Sequence, residues 1–168
     1  MLLGPVTSRQ DATEIRIGAE AVVDTLRVLH DDPAFRFEIL ADLAGVDTGA
    51  EMQVVYHLWS GLTPDWLRVI VAGLDREDPR IASATFLWKG AEWMEREAYD
   101  MFGILFEGNR DLRRIYMPPD YTSFPLRKDF YLADDASRSA AEGVRHLEQV
   151  HAPAGAPAST LVRRSKVR

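Results

Sequence analysis

The spacing of hydrophobic and polar residues changes several times in the first part of the chain, and each spacing predicts one element. Ala12 to Ile17 alternate weakly, as in a short strand. The next apolar residues recur at helical spacing and predict one helix; they are Ala19, Val22, Val23, Leu26 and Leu29. Pro33 follows this helix and ends it, because proline cannot continue the hydrogen-bond ladder. Phe35 to Ile39 alternate again and predict a second strand.

Two segments rich in β-branched and aromatic residues predict an antiparallel hairpin. They are Met52–Ser60 and Trp66–Ala72. Residues 61–65 between them contain glycine and proline, which favour a turn. The first strand carries apolar residues on both faces, so we expect it inside the sheet rather than at an edge.

A second helix is predicted over Ala91–Phe102, with Gly103 as its C-terminal cap. Glu92 with Arg96, and Arg96 with Asp100, stand four residues apart, a spacing at which opposite charges pair along a helix. Apolar residues at helical spacing line one face: Ala91, Met94, Ala98 and Met101. We therefore expect this helix to bury that face on the sheet.

Residues 104–132 have no sustained period, although they are rich in aromatic and charged residues and contain three prolines, Pro118, Pro119 and Pro125. A long run without regular structure is usually functional or disordered, and the aromatic residues argue against disorder. We therefore expect an arm that packs partly on its own domain and partly on a partner. The predicted organisation is an α+β core over residues 1–103, this partner-docking arm over 104–132, and a weak helix with a flexible basic tail over 133–168.

Composition excludes several classes of function. The 168 residues carry 20 basic and 26 acidic side chains, a net charge of −6 that disfavours a general nucleic-acid binder. With 0 cysteines, no thiolate can ligate an iron–sulfur cluster or zinc, and the four histidines lack a metal-binding spacing. No glycine-rich phosphate loop, signal peptide or membrane-spanning apolar segment is recognisable. We predict no catalytic, cofactor-binding or metal site on this chain.

The charged residues of the second helix and the arm leave three interpretations open. Glu95, Glu97 and Asp100 most simply join nearby arginines in an ion-pair network. Alternatively, Glu97 or Asp100 is the base of a free-standing enzyme. In the third interpretation, the arginines and aromatic residues of the arm clamp single-stranded nucleic acid, although the aspartates among them nearly cancel the positive charge.

Three motifs in a fixed order carry a resemblance to a known family. They read EREAYDMFGI at residues 95–104, DLRRI at 111–115 and PLRKDF at 125–130. Together they resemble the C-type subunit of bacterial respiratory complex I, the NADH–quinone oxidoreductase, and the upstream segments FRFEILADLAGVD and VVYHL agree with it. Two turns depart from the family pattern: Asn109 and Arg110 replace the usual His-Pro, and Ser123 and Phe124 replace a frequent Gly-His.

The resemblance implies an α+β fold, in which helices pack on a mixed or antiparallel sheet and a long extended C-terminal arm follows. It implies a cofactor-free accessory subunit of the hydrophilic arm of the complex. This subunit would dock on neighbouring hydrophilic-arm subunits and above all on the D-type subunit, the larger chain that shapes the quinone cavity. We refer to that partner as the quinone-site subunit.

The resemblance also implies where the chemistry of the complex takes place. FMN, iron–sulfur clusters and quinone would lie on other subunits, which pass electrons from NADH to quinone with coupled proton translocation. The location implied is peripheral, at the cytoplasmic face of the inner membrane, with indirect membrane contact. The alternative is the equivalent subunit of a related membrane-bound hydrogenase or other quinone-reducing complex.

The residues expected at the partner interface come from the three motifs. We expect the basic members Arg113, Arg114, Arg127 and Lys128 to reach carboxylates, either within this domain or on the quinone-site subunit. The full expected set is Glu95, Arg96, Glu97, Asp100, Phe102, Gly103, Asp111, Arg113, Arg114, Pro125, Leu126, Arg127, Lys128 and Asp129.

Overall fold

A computed structural model describes residues 7–9, 12–62 and 65–131 of the chain. The elements in chain order are β1 (Thr7–Arg9), β2 (Ala12–Gly18), a 3-10 turn (Ala19–Ala21), α1 (Val22–Asp31), β3 (Ile39–Asp47), β4 (Met52–Trp59), β5 (Trp66–Leu74), β6 (Arg80–Ala82), α2 (Ala91–Phe102) and β7 (Leu105–Glu107). This mixture confirms the predicted α+β class. Within the described ranges, no helix combines the length and apolar character needed to cross a membrane.

The main sheet contains five strands in the order β1-β2-β5-β4-β3. β4 pairs antiparallel with both β3 and β5, which confirms the predicted hairpin and the interior position of its first strand. β2 pairs parallel with β5, so the sheet is mixed. β6 and β7 form a separate parallel pair.

The apolar core lies on one face of the main sheet. Alternate residues of β4 are fully buried, namely Met52, Val54, Tyr56 and Leu58, because successive side chains of a strand point to opposite faces. Both helices contribute to the same core cluster, α1 through Val22, Leu26 and Leu29, and α2 through Ala91 and Ala98. The helices therefore cover this face together.

The predicted strand at Phe35–Ile39 is wrong in its first part, because β3 begins only at Ile39. Arg36 has a φ of 47°, and the N–H of Phe37 donates a hydrogen bond to the carbonyl of Leu29 at the end of α1. Phe37 is buried and Phe35 is 45% exposed. The alternation thus comes from a turn that folds one phenylalanine into the core, and not from strand pairing.

The predicted bounds of α2 agree with the structure. Gly103 ends the helix with a left-handed φ of 77° and donates its N–H to the carbonyl of Tyr99. The predicted apolar face is confirmed at Ala91 and Ala98, which are buried, but Met94 and Met101 are only half-buried. The buried surface of α2 also includes three charged residues that are not expected there, Glu95, Arg96 and Asp100.

Residues 104–130 belong to the same compact unit as the strands and helices, which spans Met1–Phe130. Leu105–Glu107 forms β7, and residues 108–131 contain no further helix or strand. The weak helix and basic tail predicted over residues 133–168 lie outside the described residues.

Candidate functional site

A buried carboxylate, Asp100, joins α2 to the arm. Its Oδ2 accepts hydrogen bonds from three consecutive backbone N–H groups, those of residues 115–117, at 2.7 to 3.0 Å. Its Oδ1 accepts one from Arg114 at 2.7 Å. Burial by itself raises the pKa of Asp100, but these hydrogen bonds outweigh burial and hold the pKa below its ordinary value. Asp100 is therefore an ionised anchor for the arm.

The guanidinium of Arg114 connects several parts of the arm to this anchor. Besides the carboxylate, it donates to the carbonyl of Asp100 at 3.0 Å and to the carbonyl of Ser123 at 3.1 Å. It also lies over the rings of Tyr121 and Phe124, at 5.7 and 5.2 Å from their centroids. The expected carboxylate partner of Arg114 is thus within its own domain.

A second buried carboxylate, Glu95, is held by neutral donors. Ser83 Oγ, the Ala84 N–H and Asn109 Nδ2 donate to it at 2.8, 2.6 and 2.8 Å. Burial raises the pKa of Glu95, and the three hydrogen bonds only partly oppose this. Glu95 forms no ion pair among the described residues, so the predicted ion-pair network is wrong for this residue. One of the three donors to Glu95 is thus Asn109, a residue that departs from the family pattern.

Tyr56 lies in the core, within range of the electrostatic effect of Glu95. Its hydroxyl is buried and has no hydrogen-bond partner among the described residues. Burial raises the pKa of Tyr56, and the charge of Glu95 adds to the effect. Tyr56, Ser83 and Asn109 are not predicted by the sequence, because strand alternation and loop composition do not reveal which polar groups meet a helix.

Arg96 connects α2 to the arm and does not pair along the helix. Its guanidinium lies 4.6 Å from the ring centroid of Trp93. Its Nε donates to the carbonyl of Arg113 at 3.2 Å, and its Nη1 is 3.6 Å from Asp111. The predicted pairs with Glu92 and Asp100 are wrong, since each such pair along an exposed helix face contributes only a few tenths of a kcal/mol and tertiary contacts outweigh it.

Within the described part of this chain, two of the four basic motif residues, Arg113 and Arg114, reach a carboxylate. Arg113 does so, pairing with Asp111 at 2.9 Å while its side chain stays 71% exposed. Arg127 instead donates to the carbonyl of Phe102 at 2.7 Å, and it stacks on a phenylalanine ring. The physical reason is that the last carbonyls of a helix lack intrahelical partners. The ammonium of Lys128 likewise donates to a carbonyl, that of Thr48, at 3.1 Å.

A third carboxylate, Asp47 at the end of β3, anchors the last part of the arm. Arg76 donates to both of its oxygens, at 3.0 and 2.7 Å, and the Lys128 N–H donates at 2.9 Å. These hydrogen bonds, above all that from Arg76, hold the pKa of Asp47 well below its ordinary value despite burial. Asp129 lies 3.3 Å from the same arginine.

The other motif residues lie around the end of α2. Phe102 packs so close to Gly45 that a Cβ at this glycine would be 2.7 Å from its ring. Pro125 is half-buried, and the N–H of Leu126 donates to the carbonyl of Met101 at 3.1 Å. Glu97 is exposed and forms no salt bridge with any other described residue.

Large apolar side chains remain exposed on α2 and the arm. Trp93 is 63%, Tyr116 66% and Leu126 55% exposed. Over the residues that the structure describes, no group of histidine and carboxylate side chains could hold a metal ion. Trp93 and Tyr116 are of the aromatic types that are enriched at protein interfaces.

The fold and these contacts define a class of protein, an α+β domain whose irregular arm is fixed to its second helix by buried carboxylates. The sequence model of the family described as respiratory-chain NADH dehydrogenase, 30 Kd subunit, matches residues 15–136. The chain belongs to this family, which confirms the resemblance drawn from the three motifs.

Relatives and solved structures agree with this assignment. The C-type NADH-quinone oxidoreductase subunit of Roseiflexus sp. (strain RS-1) is 44% identical over 131 residues, covering 76% of this chain and 74% of the relative. The second C-type subunit of Rhizobium meliloti (strain 1021) is 46% identical over 116 residues, covering 67% of this chain and 63% of the relative. A trypsin-resistant fragment (1-134) of Nqo5 aligns with a TM-score of 0.54 and 32% identity, over 64% of this chain and 89% of that one.

A more distant structure shares the fold alone. A chain of the membrane-bound sulfane sulfur reductase, an archaeal respiratory membrane complex, aligns with a TM-score of 0.65 at 23% identity. The alignment covers 86% of this chain and 80% of that chain.

Proposed function

We propose that this chain is an accessory subunit of the peripheral arm of a membrane-bound NADH:quinone oxidoreductase. It docks on the quinone-site subunit and supports the quinone cavity there. Electrons pass from NADH through FMN and iron–sulfur clusters of other subunits to quinone, with coupled proton translocation. The chain itself binds no cofactor and is peripheral at the cytoplasmic face of the inner membrane.

A structural role, rather than acid–base catalysis, is supported by the state of the buried carboxylates. Asp100 is fully buried and its two oxygens accept hydrogen bonds from the arm and Arg114. Glu95 is fully buried as well and is bonded by three groups of this chain. A general base must come within hydrogen-bond reach of its substrate, and the burial and existing hydrogen bonds of Asp100, one of the two candidate bases, disfavour that role. The observation that carries the proposal is the match of residues 15–136 to the family of the 30 Kd subunit of respiratory-chain NADH dehydrogenase.

Docking through α2 and the arm is supported by what these segments expose. Arginine and the aromatic residues are enriched at protein interfaces and in their energetic hot spots. Trp93 and Arg113 flank the buried guanidinium of Arg96, and both are mostly exposed. Arg96 lies over the ring of Trp93 and donates to the backbone carbonyl of Arg113, so α2 and the arm present these two residues side by side.

Sequence identity favours the NADH–quinone oxidoreductase over a hydrogenase or other quinone-reducing complex. Relatives at 44% and 46% identity are named as C-type subunits of NADH-quinone oxidoreductase. The reductase chain with the higher TM-score is only 23% identical, a level that supports a common fold and no more.

The experiment is affinity purification of the tagged chain from native membranes, with mass spectrometry of what accompanies it and an assay of NADH:quinone reduction. We expect a homologue of the quinone-site subunit to accompany the wild-type chain. The double variant Trp93→Ala/Arg113→Ala should recover about tenfold less of it, because loss of interface hot spots costs roughly 2 kcal/mol or more. Trp66→Ala at the start of β5, another exposed tryptophan, is the matched control and should recover the wild-type amount.

Absence of any such homologue from the wild-type preparation would show the proposal to be wrong. Equal recovery from the double variant and the control would leave complex membership standing but would reject α2 and the arm as the docking surface.

A further inference from the structure

β3 is the last strand of the main sheet, and one of its edges is open. Along the other edge it pairs with β4 from Ile39 to Asp47. Among the residues that the structure describes, the backbone of residues 39–46 makes no hydrogen bond except those with β4. An unpaired strand edge presents a row of N–H and C=O groups that can template a further strand.

A groove of about 240 Å³ follows this open edge. One side consists of four consecutive residues, Asp42–Gly45, and the other includes Glu97 and Met101 of α2 with Leu126 of the arm. Because successive side chains of a strand point to opposite faces, four consecutive lining residues mean that the groove runs along the backbone of β3. Residues of both faces of β3 therefore line the groove, and Ala98 and Phe102 of α2 close its inner side.

Two features limit the length of open edge. A β-bulge between Leu40 and Asp42 breaks the register, and bulges interrupt strand pairing. At the other end, Lys128 bonds to Asp47 and Thr48 and occupies the start of the turn. The segment left open, Asp42–Val46, matches a typical strand of about five residues.

We propose that this open edge receives an extended segment of a neighbouring subunit, which adds to the main sheet as a strand beside β3. The inference rests on the proposed function, since it requires a neighbour in the assembled complex. Backbone hydrogen bonds supply the affinity in this mode of recognition, and alternate side chains supply the specificity. In the added strand, a basic side chain of the neighbouring subunit lies beside Glu97 and Asp42. An apolar side chain of the same strand packs against Met101 and Leu126.

The charge of the groove favours a basic partner over a second copy of this chain. Asp42 and Glu97 are both exposed, and no lysine or arginine lines the groove. The imidazole Nδ1 of His57 on β4 lies 3.7 Å from Asp42. Two copies joined edge to edge would bring these carboxylates together, and like charges placed opposite each other destabilise strand pairs.

The test is hydrogen exchange, followed by mass spectrometry, on the full chain alone and in the complex purified from membranes. Amides within residues 42–46 should exchange at least about tenfold more slowly in the complex, because new strand pairing protects the outward-facing N–H groups. Equal exchange rates in the isolated chain and in an intact complex would overturn the inference while leaving the proposed function in place. Protection already complete in the isolated chain at high dilution would also overturn it, because the edge would then be filled by the chain itself.

A pair of charge reversals tests the chemistry of the added segment. Glu97→Arg should lower recovery of the partner about threefold to tenfold, since an attraction becomes a repulsion. Glu20→Arg makes the same change of charge on the 3-10 turn after β2, at the other side of the sheet, and should leave recovery unchanged. Protection of residues 42–46 in the complex without an effect of Glu97→Arg would rule out the basic side chain. Protection that depends on chain concentration in the absence of other subunits would identify a second copy as the occupant and overturn the proposal.

Discussion

The two helices pack on the same core but are held there by different chemistry. α1 buries only apolar side chains, Val22, Leu26 and Leu29. α2 buries two alanines together with Glu95, Arg96 and Asp100. The first helix is thus stabilised mainly by removal of apolar area from water, and the second by hydrogen bonds between charged groups and the arm.

This difference separates the roles of the two helices: α1 stabilises the core, whereas α2 also positions the arm. Apolar burial is non-directional and tolerates changes of shape, whereas a buried charge requires each of its partners in place. α2 and, at the far end, Asp47 of β3 therefore hold residues 109–128 through hydrogen bonds within this chain.

The largest expected effect comes from breaking the buried pair of Asp100. Arg114→Ala should lower the free energy of unfolding by about 3–5 kcal/mol, because it leaves a buried carboxylate without its cation. Urea unfolding measures this change. Arg113→Ala, at the neighbouring 71% exposed arginine, is the matched control and should cost no more than about 0.5 kcal/mol. Similar losses for the two variants would mean that the arm is not held by the buried pair.

The contribution of α1 to stability should depend on the volume of its buried apolar side chains. Leu26→Ala should lower the free energy of unfolding by about 3 kcal/mol, since the side chain is fully buried and its removal leaves a cavity. Val28→Ala, on the same helix but 52% exposed, should cost less than about 1 kcal/mol. Thermal unfolding compares the two, and an equal cost would contradict the burial seen for α1.

The junction of α2 and the arm should be sensitive to a single added methyl group. Gly103→Ala should cost about 2 kcal/mol, because left-handed backbone disfavours a Cβ. The new Cβ would also lie 2.7 Å from the ring of Phe124. Gly90→Ala, before the start of α2, has a φ of −64° and open space around it, so it should be neutral or slightly stabilising. A Gly103→Ala protein as stable as Gly90→Ala would show that the close approach of the arm is wrong.

The smallest expected effect is the change in the free energy of unfolding per pH unit that Asp47 causes at acid pH. The pKa of Asp47 is lowered by folding, so its stabilisation is present above the unfolded value of about 4 and is lost as pH falls toward the folded value. Below pH ~4, stability of the wild-type chain should fall by up to about 1.4 kcal/mol per pH unit from this group. Asp47→Asn should have a shallower slope there and a parallel pH profile between pH ~5 and ~7. Identical slopes below pH ~4 would contradict the assignment.

Several parts of the site are accessible from the sequence alone. Helical spacing and a following glycine place α2 and its cap correctly, since both depend on local backbone geometry. The ordered motifs include both Asp100, in the motif at residues 95–104, and Arg114, in the motif at residues 111–115. Their pairing, at 2.7 Å across 14 residues, cannot be read from spacing.

The remaining contacts depend on which segments meet. Glu95 is expected among arginines, but the loop before α2 and Asn109 supply neutral donors instead. Arg127 is expected to reach a carboxylate of this domain or of a partner, and within this chain it donates to the carbonyl of Phe102 at the end of α2. In both cases a polar side chain satisfies whatever group the packing brings beside it, and a linear pattern does not contain that information.

The sequence by itself determined the α+β class, the hairpin, the second helix and membership of the respiratory-chain subunit family, because these rest on local periodicity and ordered motifs. Only the tertiary structure decided that three charges of α2 face inward, that Asp47 and Asp100 anchor the arm from two ends, and that β3 leaves an edge open. Hydrophobic spacing indicates which side of a helix or strand is buried and which is exposed to solvent. Hydrogen-bond partners and unpaired strand edges depend instead on which segments folding brings together.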